Sequence, residues 1–129
     1  MGLFTRFRHK RPVDLDQRSP QTGLKYKDLL VLEQLVKAGA DVHAPRHVLY
    51  YLYFTDVETA VAAASEATGR GFDTDVREPV PEAPDRWALI CERHDYVLDL
   101  DTVRMNTDEF EELAARHGGD YDGWEASLN

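Results

Sequence analysis

Cysteine is nearly absent from this chain of 129 residues: Cys91 stands alone. A single thiol excludes an internal disulfide framework and suits a reducing compartment. Cys91 falls inside the alternating run Trp87-Ala88-Leu89-Ile90-Cys91, which reads as a buried core thiol rather than a nucleophile. No stretch of 18 apolar residues exists to form a membrane-spanning helix. The start, Met1-Gly2-Leu3-Phe4-Thr5-Arg6-Phe7-Arg8, is basic but lacks the apolar segment of a secretory signal, so a cytoplasmic protein is expected.

Recognisable reaction motifs are missing as well. There is no GxGxxG, GxxxxGK or GxSxG, and the glycines at 69, 71, 118 and 119 fall where helix ends are expected. His9, His43, His47, His94 and His117 are scattered, without HExxH or paired Cys/His spacing. Asp99-Leu100-Asp101 opens like a calcium loop, but Val103, Arg104 and Phe110 stand where that loop needs a ligand, a glycine and a glutamate. His94 and Asp95 are strand neighbours that point to opposite faces, which does not make an acid/base pair. The reading therefore assigns no catalytic, metal or cofactor-binding residue and expects a protein that is not an enzyme.

What is present is acid. The chain carries 24 Asp/Glu against 15 Lys/Arg for a net charge of −9. Residues 1 to 18 hold five Arg/Lys and two Asp, so the remainder stands at −12. Such a body repels phosphate backbones and favours a basic protein partner, making nucleic acid an improbable ligand. Tyr50, Tyr51, Tyr53 and Phe54 could stack bases, but no basic residue beyond Arg46 interleaves with them, and core packing is the better account.

Residues 1–22, with scattered basic residues and two prolines, read as a flexible basic arm, and 23–129 as one domain. The spacing of apolar residues at 29, 32, 35 and 36 predicts an accessory helix over 24–38, ended by Gly39. Arg46 to Phe54 is rich in β-branched and aromatic residues and predicts a strand. Both its faces are apolar, so both should be covered, the Tyr51/Tyr53 face by the accessory helix. Thr55-Asp56-Val57-Glu58 has the form of a capping box; the helix after it should bury Val57, Ala60, Val61, Ala64 and Ala67 or Thr68. Strands follow at 72–77 and from Trp87 to Glu92 or beyond. A third helix is expected to start at Asn106, with Glu109 closing the box and Met105 stapled to Phe110, and to bury Phe110, Leu113, Ala114 and His117. A last strand lies between Tyr121 and Leu128. The order βαββαβ predicts an α+β, ferredoxin-like sandwich with one additional N-terminal helix.

The closing segment Tyr121-Asp122-Gly123-Trp124, after Leu113-Ala114-Ala115-Arg116-His117-Gly118-Gly119, is similar to the end of the RraB family, regulators of ribonuclease E activity. The likeness runs back through the aromatic strand, Thr55, Gly71-Phe72 and Trp87 to Leu32-Glu33-Gln34-Leu35, about 100 residues in all. The resemblance implies a ferredoxin-like inhibitor that binds an RNase E/G-type endoribonuclease and lowers or redirects its cleavage of RNA. It supplies no residue-level binding motif. Gly123 is expected to permit a turn or bulge before Trp124 packs, with Asp122 bonding local amides. Asp108, Glu109, Glu111 and Glu112 on the third helix are the candidate partner contacts. A homodimer formed through the sheet with a small ligand in its cleft is a second reading, and RNA binding by Arg6, Arg8, Lys10 and Arg11 a third.

Overall fold

The computed structural model describes residues 14–128. Helix α1 (Tyr26–Lys37) is followed by β1 (Arg46–Phe54), α2 (Val57–Gly69), β2 (Asp73–Arg77), β3 (Trp87–Tyr96), α3 (Leu100–Arg116) and β4 (Asp120–Ala126). The strands form one antiparallel sheet in the order β2-β3-β1-β4. The fold class is α+β.

Strand geometry sends alternate side chains to opposite faces, and β1 is buried at every second residue from Arg46 to Phe54. Val48, Tyr50, Leu52 and Phe54 meet Leu89 and Cys91 of β3, Trp124 of β4, and the helices. Phe110 of α3 lies 4.7 Å from the Tyr50 ring and 5.1 Å from that of Phe72. Burying one such aromatic contributes about 3 kcal/mol. The small residues Ala60, Ala63, Ala64 and Ala67 line the sheet side of α2.

The accessory helix does not cover the second face. Asp28 of α1 bonds to Thr107 of α3 and Trp124 of β4, which puts α1 beside α3 on the side that already carries the core. His47, Leu49, Tyr51 and Tyr53 are left half-buried on an open face. Tyrosine tolerates this because its ring can lie along a sheet while its hydroxyl reaches water.

Four further expectations are corrected. The cap of α2 is Asp56, not Thr55: its side chain accepts from the Thr59 N–H at 2.8 Å. Val61 is exposed and Ala63 takes its place in the core. Helix α3 begins two turns before Asn106, where Asp99 accepts from the Thr102 N–H at 2.8 Å. Asn106 is buried in mid-helix and donates to the hydroxyls of Tyr50 and Tyr96. Met105 is exposed, so no staple to Phe110 forms.

Residues 14–22 of the expected arm fold back on the domain. Ser19 N–H donates to the Leu24 carbonyl, Tyr26 N–H to that of Gln17, and Leu24 is fully buried. Arg6, Arg8, Lys10 and Arg11 lie outside the described residues.

Candidate functional site

The Tyr121 to Trp124 segment is built around an irregularity in β4. Tyr51 pairs with Gly123 and the next residue, Leu52, with Tyr121, so Asp122 is the extra residue of a β-bulge. Gly123 has φ +118°, a conformation that a side chain would strain. The bulge breaks the alternation, and Tyr121 and Trp124, three apart, both turn to the helices. Tyr121 stacks on Phe110 at 5.7 Å, and Trp124 Nε1 donates to Asp28 Oδ1 at 2.9 Å. Burial, reinforced by the nearby Asp28 charge, keeps the Tyr121 hydroxyl protonated far above the usual phenol range. Asp122 is exposed and makes no side-chain hydrogen bond among the described residues, so its expected role at local amides is not realised.

Asp28 is the hub that sequence reasoning passed over. It is 2% exposed, and its second oxygen accepts from Thr107 Oγ1 at 2.7 Å. One carboxyl group thus joins α1, α3 and β4. A residue near the start of a helix ordinarily reads as a dipole-favoured surface acid, and its partners lie 79 and 96 positions away.

The four acidic candidates share the outer side of α3 but not one environment. Asp108 is ion-paired with Arg18, Glu109 with Arg70, and Glu111 with both Lys25 and Lys27. Glu112 is exposed and has no such cation among the described residues. The acidity of α3 is therefore largely matched within the chain.

The open sheet face carries a second set of groups. Tyr51 donates to Glu125 Oε1 at 2.7 Å, and burial together with that bond pushes its phenol up to about 12. The Arg86 guanidinium lies 4.0 Å from the Tyr53 ring centre. Toward the other end, His47 Nε2 stands 2.5 Å from Glu92 Oε2, and His94 Nε2 3.3 Å from Asp73 Oδ2. These histidines look scattered in the sequence because their meeting depends on the register of β1 against β3. The visible trace was the Glu92/His94 spacing, which puts both on one face of a strand.

The family model for regulator of ribonuclease activity B, RraB, matches residues 27–126. The chain belongs to the RraB family. No curated protein matches it. In this RraB protein the matched stretch runs from the second residue of α1 to the last residue of β4. The accessory helix and its Asp28 hub thus fall inside the family unit. The family's description is one of regulating ribonuclease activity. No helix of the described residues is long and apolar enough to cross a membrane.

Proposed function

We propose that this RraB protein binds an RNase E/G-type endoribonuclease in the cytoplasm and lowers its cleavage of RNA, without catalysing a reaction itself. The family match over residues 27–126 carries the reading. The chain order βαββαβ and the antiparallel strand order β2-β3-β1-β4 support a ferredoxin-like domain over 23–129.

Charge gives the reading its physics. An acidic protein is drawn to a basic segment of its partner, and complementary fields raise the association rate. Asp108, Glu109 and Glu111 would engage such a segment by exchange, partner cations replacing Arg18, Arg70, Lys25 and Lys27. Glu112 needs no exchange. Exposed charges are screened over about 8 Å at physiological ionic strength, so binding of this kind weakens with salt. Copurification with the tagged chain from extract of its own cells, at low and then high salt, tests the reading. Recovery of an RNase E/G-type enzyme at low salt and its loss at high salt is expected. Repeated absence of that enzyme beside a folded bait contradicts it.

The uncovered face favours a second reading, a homodimer that buries Leu49, Tyr51 and Tyr53, with a small ligand in the resulting cleft. Aromatic and arginine side chains such as Tyr51, Tyr53 and Arg86 are typical of interface centres. A strictly monomeric chain in light scattering at high concentration removes it.

A further inference from the structure

We propose that His47, Glu92 and His94, with Asp73 at their edge, bind one divalent transition-metal ion of the zinc or copper kind on the open sheet face. The nitrogen and oxygen donors of His47, Glu92 and His94 all lie within 4.8 Å of one another. Glu92 Oε2 is 2.5 Å from His47 Nε2 and 4.0 Å from His94 Nε2. Around zinc, with metal–nitrogen bonds near 2.0 Å, tetrahedral donors sit about 3.3 Å apart. These separations straddle that value. The side chains of His47, Glu92 and His94 are 40%, 31% and 60% exposed, so each can turn the remaining distance without disturbing the core.

The backbone brings the donors together. Glu92 and His94 are two apart on β3 and share a face, and Asp73 pairs directly with Glu92 across β2. Between Arg46 and Val48 the partner residue moves from Tyr96 to Arg93, one more than regular pairing allows. The β-bulge this creates in β3 lies opposite His47. Bulges re-aim side chains, and here the two imidazoles lie parallel, 4° between planes and 4.8 Å between centres. A surface ion pair alone has no need of two stacked histidines around one carboxylate, and such pairs contribute little to stability.

Ligand chemistry selects the ion. Two neutral imidazoles and two carboxylates match a 2+ charge, and imidazole nitrogen suits zinc, copper or nickel, whereas magnesium and calcium prefer all-oxygen shells. The outward positions are open to water.

Titration of the chelator-treated full chain with zinc alone, followed by calorimetry, tests the site. One ion per chain is expected. His47→Gln, Glu92→Gln and His94→Gln, each checked for folding by circular dichroism, should each weaken binding by about tenfold or more, since removing even an outer-shell partner costs that much. With copper, electron paramagnetic resonance should report two nitrogen donors in the parent and one in His94→Gln. Absence of binding at millimolar zinc, or affinity unchanged in all three variants, overturns the proposal; the latter places the ion on other side chains.

Discussion

Replacing Asp28 by alanine should cost far more than an ordinary helix-surface substitution. The change removes the acceptor for Trp124 Nε1 and Thr107 Oγ1, both in residues less than a tenth exposed. A buried donor left without a partner costs about 1–3 kcal/mol. Threonine can recover part of this by turning its hydroxyl to a carbonyl of its own helix one turn back. The indole N–H has no such freedom. Loss of the carboxyl group also relieves its own desolvation, so the net expectation is about 2–3 kcal/mol. For a domain of this size that lowers Tm by about 10 °C. Urea unfolding followed by tryptophan fluorescence measures it. Trp124→Phe should be less costly on the Asp28→Ala background than on the parent, with a coupling of about 1–2 kcal/mol in the double-mutant cycle. A loss below about 0.5 kcal/mol for Asp28→Ala, or strict additivity, would refute the hub.

Further outcomes follow from other contacts. A Cβ at Gly119 would collide with the Tyr53 carbonyl and the Phe54 ring; since a backbone atom cannot step aside as a flexible side chain does, Gly119→Ala should destabilise by about 2 kcal/mol or more in urea unfolding. Burial pushes the Cys91 thiol from 9.0 up to about 12. Between these values the unfolded thiol loses its proton while the folded one keeps it, so stability falls as pH rises above 9, and Tyr51 adds to the fall above 10. Unfolding curves at pH 7 to 11 should show this, with a shallower fall in Cys91→Ala, and native Cys91 should resist thiol reagents until urea is added. Asp99 is held ionised below the usual carboxylate range by the Thr102 amide; Asp99→Ala should cost about 1 kcal/mol in urea unfolding.

Element type was legible because it depends on local chemistry. The run Val48 to Phe54 is a strand by composition, and the segment Val57–Gly69 a helix by the spacing of Ala60, Ala64 and Ala67. The start of α3 went astray because two cap signals compete. Asn106 with Glu109 satisfies the local rule, and Asp99 with Thr102 does too; what decides is that Tyr50 and Tyr96 offer Asn106 two hydroxyls inside the core. The coverage of β1 was misjudged for a related reason. Half-buried tyrosines satisfy an open sheet face as well as a closed one, so Tyr51 and Tyr53 do not reveal which it is. The Glu92/His94 spacing was legible, but the approach of His47 depends on the register of β1 against β3, and the Asp28 hub on pairing across 79 and 96 positions. The Tyr121 to Trp124 segment lies inside the family match, and its bulge turns Tyr121 and Trp124 to the helices.

Whether the chain restrains RNA cleavage is decided by a direct assay. A purified RNase E/G-type endoribonuclease from the same cells would be incubated with a structured RNA substrate and increasing amounts of this chain, and the cleaved fraction followed with time. Cleavage that slows in a saturable way, and recovers as salt is raised within the enzyme's own tolerance, is predicted. Cleavage rates unchanged at saturating, folded chain would contradict the claim.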